Sequence, residues 1–468
     1  MECVVIGGGI AGLAAAWELV RGGARVTVLE AAGRVGGKLH AGEIEGLPVD
    51  LGAESMLARR PEAVELARAV GLGDALRPVA TAGAAVWSGR SLRPLPKGQV
   101  MGVPASAAAL AASSGLVTAE ALERVAREDS LAPADVGEDV AVGEYVAARM
   151  GREVVDRLVE PLLGGVYAGD AYRISMRAAV PALYAALREG RTLTGAVRAV
   201  QQAAPAASGP VFLGIEGGVG RLPGAVAAEV AAGGGTVLTG CAATGLRRVD
   251  GRWRVSAGER DFDADAVVVA LPAPAAARLL RTAAPASAGA LDAVAYASMA
   301  LVTVALRRAE AEAALPAGSG FLVPPVEGRV IKAATFSSRK WAWTGDRELF
   351  LLRASVGRHG DTADLERDDE ELVGLALRDL RLATGLAAKP VASLVSRWAG
   401  GLPQYEVGHT ALVERVRGAL PAGLALCGAL YEGVGIPACV AGGRRAAAGL
   451  LRGARDPGAA GGPGIMGA

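Results

Sequence analysis

Residues 2–30 constrain the chain most. Glu2–Ile6 (ECVVI) is a short apolar, β-branched run, as a buried parallel strand should be. Gly7–Gly12 (GGGIAG) follows it. Leu13–Arg21 then reads as a helix with Leu13, Ala16, Trp17 and Val20 on one face, and Arg25–Leu29 as a second strand ending in Glu30. Strand, glycine turn, helix, strand and acid in this order predict a dinucleotide-binding βαβ unit. Gly7 permits the tight turn, Gly9 lets backbone approach a pyrophosphate, and Gly12 lets helix and strand pack closely. The helix N-terminus favours phosphate charge, and Glu30 is placed to accept from ribose hydroxyls.

A second glycine loop decides which dinucleotide. Ala31-Ala32-Gly33-Arg34-Val35-Gly36-Gly37-Lys38 sets adjacent glycines between two cations, which suits another close approach to a diphosphate. A nicotinamide enzyme has no need of such a loop, so the expected cofactor is FAD. Gly52-Ala53-Glu54-Ser55 adds a further glycine turn. Near the other end, Tyr431–Pro437 (YEGVGIP) lies between an expected strand, Leu424–Cys427, and an expected helix, Ala438–Leu450. Backbone N–H groups at that helix start would stabilise negative charge on a reduced flavin ring. Chain ends meeting at one cofactor imply a discontinuous FAD domain with the middle of the sequence inserted.

Further strands are expected at Ala266–Ala270, Met299–Leu306, Gly320–Pro324 and Leu349–Ser355, with a β-meander joining Thr236–Leu238 and Arg252–Ser256 through a turn at Asp250–Gly251. Asp368 and Glu371 form a capping-box pattern at the head of a helix. The expected class is α/β with α+β insertions: a Rossmann-like FAD domain (1–76, 208–272 and 393–452), a mixed-sheet substrate domain (77–104 and 273–392), a helical lobe (105–207) and a disordered tail (453–468).

A net charge of +1 provides no field for nucleic acid, so that role is set aside. Cys3, Cys241, Cys427 and Cys439 form no CxxC pair, and His40, His359 and His409 are isolated, so no metal site is expected. The weakly charged run Gly418–Gly443 is broken by Pro421, Pro437, Glu432 and glycines, which argues against a transmembrane segment. No signal peptide precedes the first strand, and the chain reads as cytoplasmic.

At this point the residues resemble a family, the amine-oxidase-like flavoproteins, and within it the oxygen-dependent porphyrinogen oxidases of haem synthesis. The segments carrying the resemblance are Ser91–Pro104 (SLRPLPKGQVMGVP), Glu160–Asp170 (EPLLGGVYAGD), Trp398–His409 (WAGGLPQYEVGH) and Tyr431–Cys439 (YEGVGIPAC). They look most like the Gram-positive enzymes that act on coproporphyrinogen III; related enzymes take protoporphyrinogen IX. The resemblance implies non-covalent FAD contacted by Gly7, Gly8, Gly9, Ile10, Ala11, Gly12, Glu30, Ala31, Lys38, Gly52, Ala53, Glu54, Ser55, Ala243, Trp398, Gly433, Val434 and Gly435, to which the loop chemistry adds Arg34 and Gly37. It sets Gly165 and Val166 against the substrate macrocycle and Arg60 at the pocket border.

Ala84 stands where many protoporphyrinogen-specific relatives hold an Arg for the propionates. The implied reaction is a six-electron oxidation of coproporphyrinogen III to coproporphyrin III, in three steps that consume oxygen and release hydrogen peroxide. Hydride passes to the flavin N5 and no catalytic side chain is expected. A transient contact with the next haem-synthesis enzyme is a further expectation. Two readings stand for each substrate residue: Val166 as core or wall, Arg60 as surface charge or partner, Tyr405 as packed aromatic or contact. Amine oxidases need an aromatic cage beside the flavin, and 4% aromatics with Leu402-Pro403-Gln404 near the expected place do not supply one. A non-catalytic FAD protein is the rival of a different class, and the intact GVG turn with GGVYAGD argues against it.

Overall fold

In this computed structural model, which describes residues 1–81, 83–113, 115–203 and 209–455, three distant pieces of chain build one parallel sheet. Its order is Thr236–Leu238, Arg25–Leu29, Glu2–Ile6, Ala266–Val269, Leu424–Leu426, all parallel. The inner strands are mainly apolar, with Glu2 and Arg25 only at their starts, because both faces are covered. Helices Ile10–Arg21, Pro61–Ala69, Arg221–Ala232 and Ile436–Arg455 bury one face, around Leu13, Val28, Leu66, Val226 and Val440. On the other lie a three-stranded meander (Gly245–Val249, Arg252–Ala257, Arg260–Ala264) and the helices Ala273–Leu280 and Pro285–Asp292. The chain ends meet through Gly443, where a Cβ would stand 2.1 Å from the Ala11 carbonyl oxygen.

A seven-stranded mixed sheet runs Ala392–Pro403, Tyr296–Arg307, Leu349–Val356, Ile331–Thr335, Gly320–Leu322, Ala84–Ser88, Ser91–Pro94. Only the pairing of Gly320–Leu322 with Ala84–Ser88 is parallel. One face buries Phe321, Ile331, Ala334 and Phe350 under the helix Asp369–Thr384. That helix starts as its sequence requires: the Asp368 carboxylate accepts the Glu371 N–H at 2.8 Å. The helical lobe, from Ala107–Ala111 to Leu193–Ala203, contains one long helical stretch, Arg152–Tyr167, whose middle turn Val155–Val159 is π-helical.

The structure corrects several expectations. Thr236–Leu238 is an edge of the parallel sheet and not part of the meander, whose first strand is Gly245–Val249; the turn at Asp250–Gly251 stands. The chain leaves the parallel sheet after residue 292 and not 272, because Ala273, Ala276, Ala277 and Leu280 pack against it. It returns after Pro403 and not at 393, since 392–403 pairs with Tyr296–Arg307. Residues 453–455 extend the last helix rather than opening a tail. The rest of the expected tail and residues 204–208 lie outside the described residues.

Candidate functional site: a cradle for FAD

Each glycine of GGGIAG has a separate physical reason. Gly7 adopts φ 109°, which side chains disfavour, and a Cβ there would stand 2.5 Å from the Ala270 carbonyl oxygen. A Cβ on Gly12 would stand 2.0 Å from the Gly7 oxygen, so helix and strand could not meet. At Gly9 a Cβ would touch nothing within 4 Å. That opening, at the head of the helix, is where a pyrophosphate has to come close. Glu30 pins the turn: its carboxylate accepts the Gly8 N–H at 2.7 Å and the Ala32 N–H at 2.8 Å, and each oxygen keeps a lone pair for a ribose hydroxyl. Ala31 lies on the surface between these anchors, and Ala243 follows Cys241, whose N–H donates to the Glu30 carbonyl at 2.8 Å.

The second glycine loop folds onto the first. Gly36 N–H donates to the Gly8 carbonyl at 2.7 Å, and Gly9 and Gly36 form a parallel bridge. Arg34 wraps its own loop, donating to the Val35 and Gly37 carbonyls at 3.2 and 3.0 Å. The Lys38 ammonium finds no acceptor among the described residues; burial pulls its pKa down, offset by the nearby Cys439. Gly52, Ala53, Glu54 and Ser55 continue the same wall. Ala53 N–H donates to the Lys38 carbonyl at 3.1 Å, and Trp398 Nε1 donates to Leu51 at 2.9 Å. Trp398 thus brings the edge of the seven-stranded sheet to the loop.

Glu54 sits differently from what a cofactor contact would suggest. Its carboxylate is held by Arg353, at 2.7 Å, and by Lys340, and the Arg353 guanidinium also donates to the Gly52 carbonyl at 2.7 Å. Burial alone would raise this carboxyl, but the two cations outweigh it and hold it at about 2. Arg353 and Lys340 escaped sequence reasoning because their partner lies some 300 residues away in the chain.

Gly433, Val434 and Gly435 open the helix Ile436–Arg455, and Val434 packs against the helical-lobe core. Burial pushes the Cys439 thiol behind them up to about 12, leaving it a poor nucleophile. Gly165 and Val166 are exposed on the helix Glu160–Tyr167, Val166 at 43%. A Cβ on Gly165 would lie 3.8 Å from the Leu322 side chain, so this helix packs closely against the seven-stranded sheet. Tyr405 is a packed aromatic: its hydroxyl donates to the Ala429 carbonyl and its ring stacks on His409 at 3.9 Å. Arg60 stands apart. Its guanidinium is held by Glu62 at 2.5 Å, and none of its hydrogen bonds reaches Gly165 or Val166. Among the described residues, no three His, Cys, Asp or Glu side chains gather to hold a metal, and no helix is long and apolar enough to cross a membrane.

The glycine turns, the open position at Gly9 and the Glu30 carboxylate fit FAD. The family model described as flavin containing amine oxidoreductase matches residues 10–451. The chain belongs to this family. Among relatives of this flavin oxidoreductase, the coproporphyrinogen III oxidase of Mycobacterium tuberculosis is 40% identical over 464 residues, covering 96% of each chain. That of Bacillus subtilis is 31% identical, covering 96% of this chain and 97% of its own. A solved structure from Exiguobacterium, assigned as a protoporphyrinogen oxidase, superposes with a TM-score of 0.84 at 31% identity, covering 96% of this chain and 98% of its own. The protein is thus an FAD-dependent oxidoreductase whose relatives include proteins named as porphyrinogen oxidases.

Proposed function

We propose that this flavin oxidoreductase converts coproporphyrinogen III to coproporphyrin III in haem synthesis. Six electrons and six protons leave the macrocycle in three two-electron steps, and three oxygen molecules take them up as hydrogen peroxide. The observation that carries the reading is the close approach of Gly165 to Leu322, with Val166 exposed beside it: these apolar groups, on a helix of the lobe and on the seven-stranded sheet, suit the hydrophobic body of a tetrapyrrole. Bound FAD supplies the hydride acceptor; the protein binds, orients and excludes water.

In this reading the parallel sheet carries the cofactor, and the seven-stranded sheet and the Gly165 helix carry the substrate. The site residues inferred from the sequence keep their roles, except that Glu54 acts as a strut for its loop and Arg60 is held by Glu62. The cytoplasm is the proposed location, and the next haem-synthesis enzyme the proposed transient partner. The test is anaerobic addition of coproporphyrinogen III to the yellow enzyme. Loss of the flavin visible band, restored by air, supports the proposal; an unchanged spectrum rejects it.

A further inference from the structure

The sheet face that looks toward the Gly165 helix carries an ammonium without a hydrogen-bond partner among the described residues. Phe321, Ile331 and Ala334 point into the core beneath Asp369–Thr384. Leu322 and Ala333, which pair across their strands, therefore point the other way, toward Gly165. The register with Leu349–Val356 slips between Ile331 and Ala333, which makes Lys332 the extra residue of a β-bulge. As the neighbour of inward-facing Ile331, it shares the outer face with Ala333 and Leu322. Bulges beside active sites commonly re-aim one side chain.

Lys332 is 6% exposed, and its Nζ has no hydrogen-bond partner among the described residues. Beside it lies another cation, Arg358, which donates to the carbonyls of Val323, Arg329 and Ile331 at 3.1, 3.3 and 3.4 Å. Burial, then Arg358, pushes the Lys332 pKa down to about 7. From the helix side, Glu160 faces Arg358 and accepts the Ala171 N–H at 2.6 Å; burial pushes its carboxyl up to about 7. His359 donates its backbone N–H to Ala168 at 2.6 Å and leaves a buried Nδ1 unpaired. Ala84, on the same face beside Gly320, has no charge to offer. An unpaired buried ammonium is costly, and the cost falls away when an anion arrives. The helix overhead contains the π-turn Val155–Val159, a feature concentrated at functional sites.

We infer that Lys332 receives a carboxylate of the substrate, a propionate-type side chain entering between the Gly165 helix and the bulged strand. This deepens the porphyrinogen reading and rests on it. The test measures binding of coproporphyrin III, with four carboxylates, and of its uncharged tetramethyl ester to the FAD-loaded enzyme by fluorescence quenching. Lys332→Met removes an unpaired ammonium, so it should fold and keep its flavin. It should weaken coproporphyrin III binding roughly tenfold, the scale of one charge-assisted contact, and leave the ester unchanged. Lys332→Arg, which keeps the charge, should recover most of the loss. Unchanged coproporphyrin III binding by the Met variant, or an equal loss for both ligands, overturns the inference. A wild type that binds neither porphyrin overturns the porphyrinogen reading itself, a distinct result.

Discussion

The Glu54 carboxylate and the Arg353 guanidinium, 2.7 Å apart, join the glycine loops of the cofactor cradle to the seven-stranded sheet. Both side chains are largely buried, and removing Arg353 leaves Glu54 to Lys340 alone and the Gly52 carbonyl without this donor. Arg353→Met should destabilise the protein by about 2 kcal/mol, the scale of one lost charge-assisted hydrogen bond. Urea unfolding of the FAD-loaded protein measures it, and a loss below about 0.5 kcal/mol, the scale of an ordinary surface change, would sink the argument.

Asp50 gives the fold a pH dependence of known sign. It accepts the N–H groups of Val219 and Gly220, at 3.0 and 2.9 Å, ahead of the helix Arg221–Ala232. Burial, offset in part by the Gly220 N–H, raises its carboxyl from 3.8 to about 6. The folded state therefore holds this proton more tightly than the unfolded chain does. Its contribution to stability is full below pH 3.8 and is lost as pH rises through about 6. A shift of about two units corresponds to roughly 3 kcal/mol. Asp50→Asn should gain stability relative to wild type between these limits; parallel denaturation curves at each pH, with a constant difference, would contradict this.

Gly9 and Gly12 should separate ligand from fold. The Cβ of Gly9→Val meets no protein atom within 4 Å, so the variant should fold with a normal far-ultraviolet spectrum and bind no FAD. Gly12→Val collides with the Gly7 carbonyl and should not accumulate as folded protein. A fully yellow Gly9→Val protein would mean that the pyrophosphate lies elsewhere.

Val166 is too exposed to serve the core. Val166→Asp should change the melting temperature by no more than a few degrees, as surface substitutions do, while lowering kcat/KM for a porphyrinogen at least tenfold. The opposite pattern, unfolding without a specific kinetic effect, would return this residue to the core.

The cofactor cradle was legible because its determinants are local. Gly7, Gly12 and Glu30 act within one βαβ unit, where turn geometry and strand ends follow from short-range sequence. Arg25–Leu29 was legible as the strand that ends in Glu30, and Asp368 by its capping pattern. Thr236–Leu238 was misplaced because three residues carry no partner information, and an edge strand of a parallel sheet looks like the start of a hairpin. The role of Glu54 depends on Lys340 and Arg353, and that of Lys332 on a bulge defined by register with another strand. Nothing in a local window specifies either. Gly165, Val166 and Arg60 entered by resemblance: the first two are exposed on one helix beside the seven-stranded sheet, while the third is paired with Glu62.

Oxidation of coproporphyrinogen III and protoporphyrinogen IX side by side, followed by porphyrin fluorescence in air, tests the central claim most directly. The account predicts the larger kcat/KM for coproporphyrinogen III, with three oxygen molecules consumed per porphyrin formed. A wide preference for protoporphyrinogen IX would contradict the substrate assignment, and no porphyrin from either would contradict the account as a whole.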